Sequence, residues 1–596
     1  MKEIREVYEE KVAGYSGLVE KTGRRLFLLS MLRLVVFLAG LALLIILWKK
    51  SQPLAVGSFI VALIGFFYLL KKYSEFSFRN SFFSNLLTIN QDEIKGLNND
   101  YSPFDGGEEY IDLHHDYSHD IDLFGKNSLY QYINRTCTDR GKEILATWLK
   151  DPLPLSKEME ERQEAVKELA GMIDWRQKFK AYGIAGETGK PIIKDMEQWI
   201  TEEPHYYNNR WYNIIRIMVP AITLVILGLT VAAILHYSFL IMMILVNLLI
   251  ISLNIKTLNN AHARVSKKHN QLRTLTKLIS HFEDTKFTSV FIRKMQKLMS
   301  GNPDSASQVI GKLSKIIQAF DSRLNMILVI PLNGLLLWDI QCVHRLEKWK
   351  IIYGKSITRW FDILGHMDAI SSLANYAGNN MENSYPVIST GDEFLSAKHM
   401  GHPLIPANVR VNNDFTISKR GEIIIVTGAN MAGKSTFLRT VAVNLILAMS
   451  GAPVCARVFS FSPCHLYSSM RTTDSLSDQE SYFYAELKRL RTLKERLEKG
   501  ENIFFLLDEI LKGTNSKDKS EGSKLFIERI ITYKATGIVA THDILLGKLA
   551  ETYENVINMC FEIEIVKDEV RFDYLLRDGM TTKMNAALLM NQMGIV

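Results

Sequence analysis

The segment Gly428-Ala429-Asn430-Met431-Ala432-Gly433-Lys434-Ser435 has the spacing GxxxxGK[ST], the Walker A pattern. Glycines at its two ends let a backbone curl until several N–H groups face one cavity. A helix starting just after them adds the positive end of its dipole. In such a loop Lys434 reaches the β- and γ-phosphates of a nucleotide, and Ser435 offers a hydroxyl to Mg²⁺. Two other apolar runs end in polar groups. Ile503–Ile510 (IFFLLDEI) closes on Asp508, suited to holding Mg²⁺ through water, and Glu509, suited to polarising an attacking water. Ile538–Asp543 (IVATHD) closes on His542. That ring can bond a γ-phosphate or the lytic water, or be an ordinary surface histidine. An acidic strand end says little alone; beside a phosphate loop it points to hydrolysis of a nucleotide.

Strands have to aim these groups at one place. Glu422–Thr427, Ile503–Leu507 and Gly537–Thr541 read as strands with helical stretches between them, and STFLRTVAVNLILAM reads as a helix following the loop. Such alternation predicts an α/β P-loop domain with a largely parallel sheet, assigned to residues 385–596. Val556–Leu576 reads as two strands joined at Lys567–Glu569. Upstream, residues 73–210 and 257–384 read as mostly helical, with apolar positions at three- and four-residue spacing.

Two apolar hairpins interrupt this plan, one over residues 26–72 (runs Leu26–Trp48 and Leu54–Leu70), the other over 211–256 (runs Ile217–Leu235 and Phe239–Ile255). Each run approaches the roughly 20 residues that cross a bilayer, and none carries the polar stripe of a soluble helix. The expectation is four transmembrane helices in two hairpins, with a pair of buried core hairpins as the alternative. Lys21, Arg24, Arg25, Arg33, Lys71, Lys72, Arg210, Arg216 and Lys256 flank the runs, so both hairpins enter and leave from the cytoplasm. Lys49 and Lys50 lie on the other side. This places the chain in the cell membrane as a multi-pass protein with the P-loop domain in the cytoplasm. Residues 1–25 form a charged N-terminal helical segment, not a signal peptide.

Composition restricts the rest. At 596 residues, with 47% hydrophobic and 23% charged, the chain exceeds one core, and a net charge of +7 permits contact with nucleic acid or anionic lipid without demanding it. Its 5 cysteines show no CxxC pairing, which argues against a disulfide framework or a zinc site.

Taken together, TGANMAGKSTFLRT, LLDEILKGTNS and ATHD resemble the ATPase core of the MutS family, DNA mismatch-recognition ATPases of the ABC superclass. Gly401-His402-Pro403-Leu404 and Val411-Asn412-Asn413-Asp414 resemble the lead-in to that domain, and Phe361–Ala377 the helix ending the MutS lever arm. Asn134-Arg135-Thr136, Thr138, Gly141, Leu145, Trp148-Leu149 and Pro152-Leu153 resemble the start of the MutS core. The resemblance implies an ABC-type ATPase domain with ATP and Mg²⁺ as cofactors. Gly428 to Thr436 would cradle the phosphates, Ser435 and Asp508 would hold the metal, Glu509 would be the catalytic carboxylate, and His542 would sense the γ-phosphate. Ser481, in QESYFYAEL, resembles a serine that reaches the partner subunit's ATP, implying a homodimer through the ATPase domains, with Gly513–Ser516 at the interface. Ala429 and Ala432 stand where the family has proline and glycine. The aromatic that stacks on adenine should fall near Val409–Val411, where none occurs.

The family's N-terminal mismatch-reading domain, with its Phe-x-Glu wedge, has no counterpart: the only such triplet is Phe526-Ile527-Glu528, in a helix after the Walker B strand. The resemblance therefore implies a membrane-anchored MutS-like ATPase, with DNA binding in a mismatch-repair-like or recombination-related role. The alternative is an ABC-type membrane motor or remodelling protein without DNA binding. The sequence feature separating them is a basic stripe at Ala261–His269 and Arg273. Topology is testable directly. A cysteine at Ser51 or Tyr237 should react with an impermeant thiol reagent outside intact cells, and one at Asn99 or Asn585 should not. Labelling of Asn585 from outside would mean that one run does not span.

Overall fold

The computed structural model describes residues 2–152, 156–185, 192–266, 268–300, 304–471, 482–512, 515–566 and 569–581. The first apolar hairpin is half of a longer object. Helix α1, Lys2–Trp48, and helix α2, Gln52–Leu97, are 47 and 46 residues long. Each is about 70 Å at 1.5 Å per residue, more than twice the ~30 Å hydrocarbon layer. Apolar side chains at Phe27, Val35, Ile46, Leu54, Val61 and Tyr68 are exposed over half of their surface, as lipid-facing residues would be. Gly40 lets the two helices close up: a Cβ there would lie 2.4 Å from that of Ala62. The boundaries expected at 25 and 72 fall inside these helices, which continue unbroken as a two-helix stalk.

The stalk is docked on a helical body. That body opens with α3 (Leu129–Ile133), α4 (Asp139–Lys150), α5 (Ser156–Ala170), α6 (Ile173–Ala185) and α7 (Ile192–Thr201). Glu93 of α2 is buried against Arg135, with Oε1 2.6 Å from Nε, and the guanidinium lies 3.3 Å above the Phe104 ring. Burial alone would raise Glu93; Arg135 and Lys180 override it and hold the carboxyl below its ordinary value of 4.5. Asn90 exchanges hydrogen bonds with Gln177, and the Tyr8 hydroxyl donates to Asn379.

The second hairpin is α8 (Arg210–Val231) and α9 (Tyr237–Leu253), which bends by 66° into α10 (Ile255–Val265). Among the described residues, three helices are long and apolar enough to cross a membrane, and the bent pair α9–α10 makes a fourth only if counted as one span. That is fewer unbroken spans than the four expected, because Asn254 ends α9 after 17 residues. The body continues with α11 (His269–Glu283), α12 (Val290–Met299) and α13 (Ala306–Asp321). Next comes a helix that the reading of 257–384 as one lever region did not separate: α14, Met326–Leu336, apolar and 11 residues long. It packs on the hairpin, where Asn247 Nδ2 donates to the Gly334 carbonyl at 2.5 Å and to Thr223 at 3.1 Å. At about 16 Å, α14 is too short to span.

Leu337, in the left-handed region at φ 50°, turns the chain into α15, Trp338–Asn379. This 42-residue helix is the spine of the body. Near its start Glu347 accepts from the backbone N–H groups of His205, Tyr206 and Tyr207, fixing the approach to α8. Near its end Asp368 accepts from Thr138 N and Oγ1 and from Cys137 N, holding Thr138, whose Oγ1 accepts from Gly141 N and caps α4. Gly141 makes room: a Cβ there would sit 2.3 Å from Asp368 Oδ2. The two core segments whose sequences share one resemblance thus pack on each other across more than two hundred residues of chain.

The remaining residues build two sheets. One has the order β1-β5-β2-β3, from β1 (Val387–Ile388), β2 (Leu395–Met400), β3 (Asn413–Ile417) and, after β4 (Ile423–Gly428), β5 (Val458–Phe461). The sequence reading did not anticipate this sheet. The other has the order β10-β9-β4-β8-β7-β6, adding β6 (His465–Ser469), β7 (Ile503–Asp508), β8 (Thr536–Thr541), β9 (Val556–Val566) and β10 (Glu569–Asp578). It is parallel except for β10, antiparallel to β9. Every residue of β4, β7 and β8 is buried, as continuous β-branched and apolar runs require in a sheet covered on both faces. Helices α16 (Lys434–Met449), α17 (Tyr482–Glu498) and α18 (Ser516–Ile531) cover it.

Arg135→Ala should leave Glu93 buried without its partner and cost about 3–5 kcal/mol in chemical unfolding of the purified chain. Because Glu93 is held low, the pair's contribution should be present above pH 4.5 and lost as pH falls through its depressed folded value. An unchanged unfolding midpoint in the variant would contradict this.

Candidate functional site

The site sits at the carboxyl ends of β4, β7 and β8, where the parallel register sets Thr427 beside Thr541 and Asp508 beside Ala540. Between β4 and α16 the loop turns through two left-handed residues, Met431 (φ 66°) and Gly433 (φ 106°). Gly428 is held by close approach: a Cβ there would lie 3.0 Å from the Phe561 carbonyl. Ala429 and Ala432 are both buried, so small side chains suffice where the resemblance led one to expect proline and glycine.

Lys434 is buried and folds back on its own loop, Nζ donating to the carbonyls of Gly428 (2.7 Å) and Ala429 (2.9 Å). Burial pushes the ammonium down, against the pull of Glu509 and Asp508. Ser435 Oγ donates to Asp508 Oδ2 at 2.5 Å. Glu509 has φ 54°, a strained conformation for a residue with a Cβ, and its N–H donates to the Ala540 carbonyl at 2.9 Å. The turn swings its carboxylate round to His542, with Oε1 3.2 Å from Nδ1. Burial works to raise Glu509, but the His542 bond, with Lys512 and Lys434 adding to it, leaves its pKa lowered. The loop, Lys434, Ser435, Asp508, Glu509 and His542 therefore converge. Asn430 and Thr436 line the same cavity. Ser481, Gly513 and Thr514 lie outside the described residues.

Several residues of this cavity, about 410 Å³ in volume, escaped the sequence reading. No aromatic lies at Val409–Val411, yet Tyr574 lines the same cavity as those residues. A bulge in β10 between Phe572 and Leu576, pinned by Asn413 bonding both Tyr574 O and Leu576 N, puts its ring beside Gly433. Nothing local marks Tyr574: its place follows from a strand pairing formed across the whole domain. Half-buried His402, from the Gly-His-Pro segment, also lines the cavity; desolvation, reinforced by Arg439 and Arg410, pushes it to about 4, so it is neutral at pH 7. Glu486 of α17 accepts from Leu511 N (2.6 Å) and Lys512 N (3.1 Å), holding the turn that carries Glu509.

The helical body reaches this site too. Asp120 accepts from Ser468 Oγ (2.6 Å), Met470 N (3.2 Å) and Arg471 N (2.9 Å) at the end of β6, while its own carbonyl accepts from Arg439 of α16 (3.0 Å). At the far end of α16, Ser450 Oγ donates to the Trp148 carbonyl. Both ends of the helix that starts at Lys434 are thus fixed to the body.

A model described as MutS domain V matches residues 424–592, and one described as MutS domain III matches residues 113–374. These segments belong to the MutS family. The MutS domain III match brackets the second hairpin, whereas α1 and α2 lie ahead of both matches. Among curated relatives, MutS protein homolog 4 of Mus musculus is 31% identical over 204 residues, 33% of this chain and 21% of its own. DNA mismatch repair protein MutS of Fusobacterium nucleatum is 32% identical over 227 residues, 35% of this chain and 25% of its own. The Clostridium botulinum protein of the same name is 32% identical over 222 residues, 35% and 23%. The chain matches about a fifth to a quarter of the length of these relatives.

Proposed function

We propose that this chain is a membrane-anchored, MutS-like ATP hydrolase that works as a homodimer through its ATPase domains. The observation carrying the reading is the convergence of Lys434, Ser435, Asp508, Glu509 and His542 around one glycine-hinged loop. The donor set fits ATP with Mg²⁺. Ser435 and Asp508, in contact at 2.5 Å, are the hydroxyl and carboxylate that would hold the ion, which when bound neutralises phosphate charge. The backbone N–H groups at the start of α16 and the Lys434 ammonium face the phosphates; Lys434 exchanges two carbonyl acceptors for phosphate oxygens. Glu509, ionised because its pKa is held low, orients water and accepts its proton, and His542 fixes that carboxylate and reads the γ-phosphate. Tyr574 supplies a face for the base in place of the aromatic missing at Val409–Val411.

The exposed apolar half of α1 and α2 supports membrane anchoring, with the ATPase domain on the cytoplasmic side. The names of the relatives motivate duplex or branched DNA as a second ligand. One observation favours the alternative of a membrane motor or remodelling protein without DNA. Within the candidate basic stripe, Arg264 is paired with Glu202 (3.1 Å), so part of its charge is already neutralised. Filter binding of duplex DNA at two salt concentrations separates the readings, since phosphate contacts impose a steep salt dependence.

Lys434→Ala should abolish ATP binding in a direct titration, and Glu509→Gln should bind ATP normally but hydrolyse it at least about a hundredfold more slowly. Normal affinity in the first or normal turnover in the second would overturn the site. Ser481 is proposed to act in trans. Mixed Lys434→Ala and Ser481→Arg chains should regain activity above either alone, because one of the two shared sites is then intact. Equal inactivity with heterodimers formed would mean that each chain builds its own complete site.

A further inference from the structure

Where the apolar half of α2 ends, a cleft of about 690 Å³ opens between α2 and the pair α11 and α13. Phe67 and Leu70 line its apolar end, and one turn on, Lys71 and Ser74 begin the polar stalk. Across the cleft Arg273 of α11 and Lys315 of α13 face the same space. The carboxylate in the lining, Glu75, already bonds Lys72 at 3.2 Å. Among the described residues, Lys71, Arg273 and Lys315 have no carboxylate within 4 Å. Three cations from three helices therefore share one concavity with a single carboxylate, Glu75, which Lys72 bonds and which Lys71 and Arg273 help to hold below its ordinary pKa.

The neighbourhood shows the same excess. Lys277 lies 3.8 Å over the Phe78 ring and Arg273 lies 5.8 Å over it. Burial lowers the Lys277 pKa, and Arg273 and Arg79 lower it further. His269 and Ser314, bonded to each other at 2.9 Å, add polar groups to the wall.

We infer that this cleft is a binding site for the headgroup of an anionic phospholipid, with its phosphate among Lys71, Arg273 and Lys315 and its acyl chains running down past Phe67 and Leu70. The inference rests on the membrane reading of α1 and α2. A free phosphate or a DNA backbone would satisfy the cations but not the apolar floor, which continues directly into the exposed apolar surface of the hairpin. A basic pocket at the cytoplasmic edge of membrane helices has the chemistry for such a headgroup. Its occupant would bridge the first hairpin to the helices that follow the second.

The test uses the full chain, reconstituted in nanodiscs of phosphatidylcholine alone or with phosphatidylglycerol, with the lipid retained after detergent extraction counted by native mass spectrometry. The parent chain should retain phosphatidylglycerol selectively. Arg273→Glu with Lys315→Glu should reduce that retention by roughly fivefold for each residue changed. Arg293→Glu with Lys297→Glu, an equal charge change on α12, should not. Flotation with phosphatidylcholine vesicles checks the reading underneath: a parent chain that does not float refutes the membrane anchor and this site with it. A chain that floats but retains both lipids alike, or whose retention the Arg273 and Lys315 changes leave intact, refutes the headgroup site alone. Protection against heat by inorganic phosphate or by duplex DNA, lost in the Arg273 and Lys315 variant and without lipid selectivity, would overturn the lipid assignment. Retained ATP binding shows that each variant is folded.

Discussion

The ion pair between Glu93 and Arg135 is where the apolar hairpin meets the rest of the molecule. Burying a carboxylate and a guanidinium is expensive, and a well-packed apolar pair could stabilise the junction as much. What the ion pair adds is direction. Arg135 is committed at once to Glu93, to the Phe104 ring and to the carbonyls of Tyr132 and Asn134, while its backbone N–H donates to Ser372 of α15. Asn379, at the end of α15, donates to the second oxygen of Glu93. A stalk shifted by a few ångströms would strand a buried charge, so α2, the start of the core and the end of the spine can meet in one arrangement only.

From that junction a continuous set of polar contacts leads to the phosphate loop. Asp368 of α15 holds Thr138, the N-cap of α4, Trp148 of α4 accepts from Ser450 at one end of α16, and Asp120 is bonded to Arg439 near the other end. The same Asp120 holds the end of β6. Closing the loop around a nucleotide would draw Lys434 and Ser435 off their present partners at the front of α16. Because that helix is fixed at both ends, the displacement would be passed to the body. The strained backbone of Glu509 is the complementary device: Glu486 and the β8 edge hold a turn that would otherwise relax and carry the carboxylate away from His542.

Much of this was legible in the sequence because local rules decide it. The β-branched run before Gly428 can only be a buried strand, the Walker spacing dictates a left-handed glycine before a helix, and strands ending in Asp508-Glu509 and His542 must deliver those groups to the same sheet edge. The core segments around Thr138 and Asp368 were likewise named, though not their contact. What stayed hidden depends on distant pairing. Tyr574 reaches the cavity through a bulge set by Asn413, and the small sheet of β1, β2, β3 and β5 is assembled from strands of six residues or fewer with little alternation. Hydropathy also divided α1 and α2 at residues 25 and 72, because it registers where apolar residues stop, not where a helix stops. It folded α14 into a soluble lever because 11 apolar residues fall below any spanning threshold.

The claim that the phosphate loop and the apolar hairpin form one mechanical unit can be measured by hydrogen exchange on the Glu509→Gln chain in nanodiscs, with and without ATP. The account predicts altered protection in the loop at 428–436 and also at 116–122 and 129–137 and along the α2 stalk at 86–97, with the distal changes abolished by Arg135→Ala. A response confined to the loop, with the stalk and its junction unchanged by ATP, would contradict it.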